Sequence, residues 1–297
     1  MSRVLLLGKG GQVGQVLLRR LTAAGMKVVA CDRRQLDFEQ PAQIQTLVAD
    51  LHPQLIINAA AYTAVDRAEV EITQAQRVNA EAPEQLAMAA AACGTRLMHF
   101  STDYVFDGQS GIPWREGDNP NPLGIYGQTK LAGEMAIRQM IPDQHWIIRT
   151  AWVYGATGPR NFVKTMVRLG QTRDRIRVVC DQVGTPTWTE DLAQVVVAFV
   201  QDGDRVPPGT YHYTNSGVAS WYDLAIAIFE EVRALGIPLM VKEVQPIPSQ
   251  DYPTAAKRPF YSVLDCQKIT ALLGYRAPHW RVSLRTMLSQ YLEAGQS

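Results

Sequence analysis

Two residues of the stretch IYGQTKLAGE, Tyr126 and Lys130, have the types and the spacing to transfer a proton. Residues at i and i+4 share one face of a helix. A phenol can protonate the alkoxide that forms when a hydride reduces a ketone, and a nearby ammonium lowers the phenol pKa from its usual value of about 10. Because 11 tyrosines and 7 lysines in 297 residues give roughly 0.26 such pairs by chance, the spacing is weak evidence by itself.

Polar side chains at the end of an apolar segment, RLMHFST at 96–102, strengthen this interpretation. That segment is typical of a strand, and ligands of α/β proteins bind at the carboxyl ends of such strands. We therefore expect Thr102 and Asp103 to lie near Tyr126, with the Thr102 hydroxyl holding the substrate carbonyl. Thr102, Tyr126 and Lys130 are the predicted catalytic residues. The alternative is a packed tyrosine beside a solvated lysine.

Three glycines at three-residue spacing, Gly8, Gly11 and Gly14, lie between an apolar segment and a helical pattern. In a dinucleotide-binding loop such glycines permit a tight turn, a close approach of the pyrophosphate, and packing of helix on strand. The helix N-terminus then supplies N–H donors to the phosphates. Val13 prevents a strict G-x-G-x-x-G match, and a glycine-rich turn without a ligand is the alternative. The position directly after a strand favours dinucleotide binding.

The end of the second predicted strand carries conflicting signals for the cofactor. Asp32 follows Gly14 by 18 residues, and a carboxylate there can bind the ribose hydroxyls of NAD. Arg33 and Arg34 come next, and a guanidinium can pair with the 2′-phosphate of NADP. We predict that both NADH and NADPH are accepted.

Strand and helix patterns alternate through the first half of the chain. Predicted strands cover 3–8, 27–32, 54–61, 96–102 and 145–155, and predicted helices cover 11–25, 41–52 opened by Pro41, about 66–93 with a break near Pro83, and 126–140. This order predicts an α/β fold with a Rossmann-like, doubly wound parallel sheet over residues 1–155.

The second half has a looser pattern with many prolines. Helices are expected near 160–171, 189–202, 220–235 and 280–293, with short strands such as RVVC (177–180) and LMVKEV (239–244). Residues 156–297 are therefore interpreted as a smaller, mixed α/β substrate-binding domain at the carboxyl edge of the sheet, from which some segments pack back on the first domain.

Composition excludes several classes of function. The net charge is +1 with no basic block, which disfavours nucleic acid as a partner, and no run approaches the roughly 20 apolar residues of a membrane span. The four cysteines, Cys31, Cys93, Cys180 and Cys266, are far apart, which disfavours a metal site or disulfides and favours a cytoplasmic protein.

With these motifs in place, the chain resembles the dTDP-4-dehydrorhamnose reductase family of the extended short-chain dehydrogenase/reductases. The resemblance rests on runs that span most of the chain: GKGGQVG (8–14), NAAAYTAVDRAE (58–69), STDYVFDG (101–108), YGQTKLAGE (126–134), RTAWVYG (149–155), NFVKTM (161–166), DQVGTPT (181–187) and KRP (257–259). It implies reduction of the 4-keto group of dTDP-6-deoxy-L-lyxo-4-hexulose to dTDP-L-rhamnose, the last step of dTDP-rhamnose biosynthesis.

The resemblance also implies roles for particular residues. It implies that Gly11, Gln12 and Val13 lie on the pyrophosphate, Asp32 at the adenosine ribose, Asp37 and Phe38 beside the adenine, and Ala61, Tyr62 and Thr63 along the cofactor cleft. Thr102 and Asp103 would face the sugar, Tyr126 would donate the proton, Lys130 would bind the nicotinamide ribose, Trp152 would meet the substrate, and Arg258 would bind its diphosphate.

The chain departs from the family pattern at one position. Tyr261 stands where the family has Asn after Arg-Pro, which leaves the local substrate contact open. Mg²⁺ is implied by the resemblance alone, because no Asp/Glu cluster with ligand spacing is visible in the sequence. A homodimer is also left open.

Three related functions remain as alternatives. In a 4,6-dehydratase this segment reads Thr-Asp-Glu, whereas here it is Thr102-Asp103-Tyr104, so the glutamate is absent. Another nucleotide-sugar reductase or a 4-epimerase fits the same fold, although the STDYVF and DQVGTPT runs favour the reductase. A non-catalytic regulatory subunit of methionine adenosyltransferase shares the dinucleotide fold, but here the set of Thr102, Tyr126 and Lys130 is intact and favours catalysis.

Overall fold

The computed structural model describes residues 3–40 and 42–294, and a parallel sheet of six strands forms its centre. Its strands are β1 (Arg3–Leu7), β2 (Lys27–Cys31), β3 (Leu55–Asn58), β4 (Arg96–Thr102), β5 (His145–Thr150) and β10 (Gly209–His212). The strand order is β10-β5-β4-β3-β1-β2, so the direction of winding reverses between β1 and β3. The predicted α/β, Rossmann-like fold is confirmed, and ligands of such sheets bind at the carboxyl ends beside that reversal.

Helices cover both faces of the sheet. In chain order they are α1 (Gln12–Ala23), α2 (Ala42–Leu51), α3 (Val65–Ala68), α4 (Ile72–Gln76), α5 (Ala82–Cys93), α6 (Ile125–Met140), α7 (Phe162–Gly170), α8 (Thr189–Gln201), α9 (Trp221–Ala234), α10 (Gln267–Leu273) and α11 (Trp280–Ala294). A π-helical turn, Arg77–Glu81, joins α4 to α5. Pro41, which was predicted to open α2, lies outside the described residues.

Alternation along the strands explains the two layers of the core. In β1, Val4 and Leu6 pack in the cluster with α1 and α8, whereas Leu5 and Leu7 pack in the cluster with α2, α5 and α6. Successive side chains of a strand point to opposite faces, so a strand covered on both sides must be apolar throughout. This is why the sequence shows continuous apolar runs rather than alternating polar residues.

The second half of the chain contributes to both layers. Its own small sheets pair β6 (Val153–Tyr154) with β9 (Thr187–Trp188), β7 (Arg175–Val179) with β12 (Glu243–Ile247), and β8 (Val183–Gly184) with β11 (Ala219–Ser220). However, β10 also extends the main sheet beside β5, and α8 packs on α1. The boundary at residue 155 therefore stays a prediction, since the second half supplies part of the first layer.

Several predicted elements differ from those observed. The strand predicted over 145–155 is two strands, β5 and β6, because Trp152 between them has a left-handed backbone with φ of 46°. The helix predicted over 66–93 is broken well before Pro83, which instead lies in the first turn of α5. The strand predicted at LMVKEV begins only at Glu243. Prolines and apolar runs predict the bounds of these elements poorly, because pairing with other strands in the folded protein decides where a short strand begins.

A buried ion pair joins α6 to the sheet. Arg149 of β5 donates two hydrogen bonds to the Glu134 carboxylate of α6, at 2.9 and 2.7 Å, and both side chains are fully buried. Burial would raise the pKa of Glu134, but the hydrogen bonds and the charge of Arg149 outweigh it and leave this pKa below its usual value. The pair therefore stays charged, and neither partner can be removed without exposing the other to an apolar interior.

Replacement of this carboxylate should be costly. We expect Glu134→Gln to lower the free energy of unfolding by about 3–5 kcal/mol, because the Arg149 charge is left without a counter-ion. Urea denaturation with a fitted midpoint and slope measures the change. The matched control is Glu230→Gln, which breaks the half-exposed pair with Arg281 and should cost under about 1 kcal/mol. Equal losses in the two variants would contradict the structural role of the buried pair.

Candidate active site

A cleft of about 460 Å³ opens at the carboxyl edge of the sheet, where the winding reverses between β1 and β3. The loop after β1 forms one wall, and Gly8 there has φ of 84°, in the left-handed region. A Cβ on Gly8 would stand 2.6 Å from the Ala60 backbone nitrogen, and one on Gly14 would stand 2.1 Å from the Gly8 carbonyl oxygen. Only glycines allow this turn and this packing of α1 on the loop.

The far end of the cleft carries charge from the loop after β2. Asp32 is half-buried, and its side chain accepts a hydrogen bond from the Arg34 backbone nitrogen at 2.9 Å. The exposed Arg33 guanidinium contacts Glu39 and lies 3.8 Å from Asp37. Arg33 lines the cleft and Arg34 does not. A carboxylate and a guanidinium therefore both face this end, as expected for a site that accepts either ribose or its phosphate.

The structure brings many of the predicted cofactor residues together, but not all. Those that line the cleft are Gly8, Gly11, Asp32, Arg33, Asp37, Phe38, Ala61 and Tyr62. Gln12, Val13, Gly14, Thr63 and the two predicted residues of α6, Tyr126 and Lys130, lie outside it, and Val13 instead packs on the core. Gln12 donates to the Val153 carbonyl at 3.0 Å and accepts from Asn161, so it joins α1 to the second half of the chain.

Some lining residues were missed by the sequence interpretation. Gly10, Cys31, Arg67, Gln74 and Val78 line the cleft but carry no assigned role. Arg67, Gln74 and Val78 come from α3, α4 and the π-helical turn. No local pattern marks such residues, because the path of the chain after β3 decides which side chains face the cleft.

The predicted acid lies where α6 closely approaches the end of β4. Gly127 makes this possible, since a Cβ there would stand 2.2 Å from the Tyr104 carbonyl oxygen. The rings of Tyr126 and Tyr104 meet edge to face at 5.5 Å between centroids. Burial raises the pKa of Tyr126 above its usual value, and a hydrogen bond with Thr102 partly offsets the rise. The phenol is therefore protonated, as a proton donor must be.

Thr102 and Asp103 are held rigidly beside this phenol. The Thr102 hydroxyl donates to Asp103 Oδ1 at 3.0 Å and accepts from the Tyr104 backbone nitrogen at 3.2 Å. Asp103 is 2% exposed, and its Oδ2 has no hydrogen-bond partner among the described residues. Burial raises the pKa of Asp103 to about 6, so this carboxyl can bind a proton near neutral pH.

Lys130 makes contacts that the sequence did not suggest. Its side chain is 2% exposed, and its amine donates to the Phe100 carbonyl at 2.6 Å and contacts His99 Nε2 at 3.0 Å. These are its hydrogen-bond partners among the described residues, and the phenol of Tyr126 is not one of them. Burial lowers the pKa of Lys130 to about 8, against the opposing charge of Glu134.

A polar pair behind Lys130 was also missed by the sequence interpretation. His99 of β4 and Asn58 of β3 are fully buried, and Asn58 Nδ2 lies 3.1 Å from His99 Nδ1. The signal was visible: Asn58 ends the apolar strand β3, and His99 lies between the apolar residues Met98 and Phe100 in β4. Such a residue needs a polar partner, because an unpaired polar group is costly inside the sheet.

Arg258 and Trp152, two of the four residues predicted to bind substrate, make different contacts. Arg258 donates to Asp66 Oδ2 at 2.7 Å and to the Tyr104 hydroxyl at 3.3 Å, which holds it beside the Tyr104–Tyr126 pair. Trp152 stacks on Trp221 with 3.5 Å between ring centroids. Its left-handed backbone is a strained conformation of the kind that collects at functional sites. Tyr261, where the family pattern has Asn, is bridged to Val183 in the same region.

Within the described residues, no group of three or more His, Cys, Asp or Glu side chains has an arrangement that could hold a metal ion. None of the described helices is both long and apolar enough to cross a membrane.

Comparisons with known proteins agree with one another. A family model described as the RmlD substrate binding domain matches residues 2–293. The chain is 41% identical over 293 residues to a dTDP-4-dehydrorhamnose reductase of Escherichia coli K12, with 97% of each chain covered. It is also similar to two solved dTDP-4-dehydrorhamnose reductases. The Clostridium acetobutylicum protein has a TM-score of 0.90 at 39% identity, with 99% of this chain and 100% of that chain covered. The Bacillus anthracis protein, solved with NADP, has a TM-score of 0.90 at 35% identity, with 97% and 99% covered.

The raised pKa of Asp103 makes a prediction for stability. The folded protein binds this proton more tightly than the unfolded chain, so the stabilisation is complete below about pH 4 and is lost as the pH rises through about 6. Asp103→Asn should remove this pH-dependent loss of stability, because an amide does not titrate in this range. Its free energy of unfolding relative to wild type should rise by up to about 3 kcal/mol between pH 4 and pH 7.

Urea denaturation of both proteins across this pH range measures the difference, and the exposed Asp204→Asn is the control for the substitution itself. A difference between Asp103→Asn and wild type that does not change with pH would show that Asp103 titrates normally.

Proposed function

The chain belongs to the RmlD substrate binding domain family, and from this membership we propose that it reduces the 4-keto group of dTDP-6-deoxy-L-lyxo-4-hexulose to dTDP-L-rhamnose. It is an NAD(P)H-dependent oxidoreductase, similar to dTDP-4-dehydrorhamnose reductases along 97% of its length. The observation that carries the proposal is the placement of the Tyr126 phenol beside Thr102, at the carboxyl edge of a sheet whose neighbouring cleft is built for a dinucleotide.

The cleft residues have the chemistry to hold the cofactor. The glycine loop brings backbone N–H groups and the N-terminus of α1 to the position of a pyrophosphate. Asp32 and Arg33 face the adenosine end, where they would bind ribose hydroxyls or a 2′-phosphate. When bound, NADPH or NADH supplies the hydride for the reduction.

The residues of β4 and α6 would manage the proton. Tyr126 donates its phenolic proton to the substrate oxygen, and the hydroxyl of Thr102 holds that oxygen in line. Since burial raises the pKa of the phenol, the phenolate needs a nearby positive charge. Lys130 lies one helical turn further along α6 and is the residue placed to supply it.

The contacts of Arg258 and Trp152 support a substrate site above the phenol. Arg258 lies beside the Tyr104–Tyr126 pair, and its guanidinium carries a positive charge that a diphosphate requires. Its existing bond to Asp66 means that a bound diphosphate would share or replace this partner. Trp152 and Trp221 offer a flat apolar surface on the second half of the chain.

Tyr126→Phe tests the proton donor. It should reduce turnover about 10²–10⁴-fold and leave cofactor affinity nearly unchanged, because the ring remains while the donor is lost. Turnover is measured as oxidation of NADPH with the dTDP-4-keto sugar, and affinity by fluorescence titration. The matched control is Tyr275→Phe on the surface of the second half of the chain, which should retain full activity. A Tyr126→Phe enzyme within a few-fold of wild type would remove this residue from the mechanism.

A second prediction concerns the choice of cofactor. Arg33→Ala with Arg34→Ala should weaken NADPH about 10–100-fold and NADH much less, because a charge-assisted hydrogen bond to the 2′-phosphate is lost. Dissociation constants for both cofactors measure the effect. Arg173→Ala, an exposed arginine after α7, is the control and should change neither constant. If the dissociation constants of both cofactors rose equally, the two arginines would have no role in binding the 2′-phosphate.

A further inference from the structure

A chain of hydrogen bonds runs from the cofactor cleft to Lys130, and it begins at a backbone donor. The Ala60 N–H points to Asn58 Oδ1 at 3.1 Å. A backbone N–H can only donate, so the oxygen of the Asn58 amide must face Ala60. The amide orientation is thereby fixed by a group that has no alternative role.

The fixed amide determines the tautomer of His99. With its oxygen at Ala60, Asn58 presents Nδ2 to His99 Nδ1 at 3.1 Å. An amide nitrogen only donates, so His99 Nδ1 must accept. A neutral imidazole that accepts at Nδ1 carries its proton at Nε2. His99 is 0% exposed, and burial holds its pKa well below the usual value, so the doubly protonated form is excluded near neutral pH.

The tautomer of His99 in turn constrains Lys130. The Nε2–H of His99 faces the Lys130 amine at 3.0 Å. An ammonium has three donors and no lone pair, so it cannot accept this hydrogen bond. A neutral amine can accept from His99 while it donates to the Phe100 carbonyl at 2.6 Å. Of the two forms of Lys130, only the amine makes all four contacts of the chain consistent.

We propose that Asn58 and His99 are positioning residues that stabilise the neutral amine form of Lys130 in the cofactor-free protein. The inference deepens the proposed function, on which it rests, because it assigns what sets the charge of that site's lysine. Asn58, His99 and Lys130 are 1%, 0% and 2% exposed, so water cannot easily replace the contacts.

The charged groups around Lys130 do not by themselves decide between the ammonium and the amine, so the hydrogen bonds from Asn58 and His99 can decide it. Glu134, one turn along α6, favours the ammonium, but its carboxylate is already bound by Arg149 of β5 and by Arg138. His99 faces the amine from β4. Tyr126 on α6 and Asp103 and Tyr104 after β4 are further titratable groups in this region, and burial raises the pKa of all three. Burial also disfavours the ammonium itself.

The same hydrogen bonds couple binding of the cofactor to the charge of Lys130. To form the ammonium, Lys130 takes one proton from solvent and can no longer accept from His99. His99 must then lose the contact, or move its proton from Nε2 to Nδ1 and turn the Asn58 amide away from Ala60. Because Ala60 lines the cleft, a cofactor that accepts the Ala60 N–H in place of Asn58 would free the Asn58 amide to turn. We therefore expect net proton uptake when the cofactor binds.

The first test is the tautomer of His99 in the free protein, by ¹⁵N–¹H correlation spectra of the imidazole rings. The expected result is a neutral ring protonated at Nε2 at pH 9, above the lowered pKa of Lys130, with the His99 signals identified by their absence in His99→Gln. A ring protonated at Nδ1, or at both nitrogens, would overturn the proposal. The measurement needs no turnover. An inactive protein with the Nε2 proton would count against the proposed function alone.

Asn58→Asp should reverse the donor and acceptor roles along these hydrogen bonds, with almost no change in the shape of the side chain. One carboxylate oxygen still accepts from Ala60, but the other now accepts from His99 Nδ1–H, so Nε2 accepts from a Lys130 ammonium. The expected result is a switch of the His99 proton to Nδ1. Asn161→Asp is the matched control, because it keeps the helix cap that Asn161 provides to α7 and should leave the tautomer of His99 unchanged. No switch in a folded Asn58→Asp protein would contradict the assignment.

Calorimetry of NADP⁺ binding in two buffers of different ionisation enthalpy gives a second, independent measurement. Wild type should take up protons on binding near pH 8, and Asn58→Asp should take up fewer or none, because its lysine is already charged. Wild-type binding without proton uptake would overturn the coupling of cofactor and charge.

Discussion

The ion pair between Glu134 and Arg149 fixes helix α6 against the sheet, and the candidate active site depends on that placement. Tyr126, Lys130 and Glu134 follow one another at intervals of four residues, so they share the face of α6 that is turned to β4 and β5. Glu134 anchors the inner end of this face by two hydrogen bonds to Arg149. At the other end, Gly127 lets the helix touch the backbone at Tyr104. Lys130 lies between the two anchors and Tyr126 lies next to Gly127, so the phenol and the amine have little freedom to move.

The interior of the sheet is polar along one line that crosses its middle strands. Asn58 of β3, His99 of β4 and Lys130 of α6 are buried where their neighbours in sequence are apolar. Burying such groups is unfavourable unless each has a partner, and here each partner is another member of the line. These contacts do more than pair buried polar groups. The backbone N–H of Ala60 can only donate, and this fixes which atom donates and which accepts in each later hydrogen bond. A directed chain can set the protonation state of its last member.

The cleft and the reacting groups lie at one edge of the sheet for a topological reason. All six strands are parallel, so their carboxyl ends meet at one edge, and the loops after β1, β2, β3 and β4 open there. The reversal of winding between β1 and β3 leaves a gap between those loops. The Bacillus anthracis relative solved with NADP shares this fold. Arg258 from the second half of the chain lies near this edge, beside the Tyr104–Tyr126 pair.

The sequence by itself determined the first five strands of the sheet and the glycine loop, and it placed Tyr126 and Lys130 on one helix face, because these depend on local patterns. A buried parallel strand must be continuously apolar, a tight loop must have glycine, and two residues four apart must share a helix face. The tertiary structure decided what lies between the elements. It showed that β10 joins the sheet from the second half, that Trp152 interrupts the fifth predicted strand, and that Gln12 and Thr63 lie outside the cleft. It also gave Lys130 partners on β4, which no spacing along the chain could indicate. Hydrogen-bond direction depends on which donors and acceptors meet in space, and that is fixed only when the chain has folded.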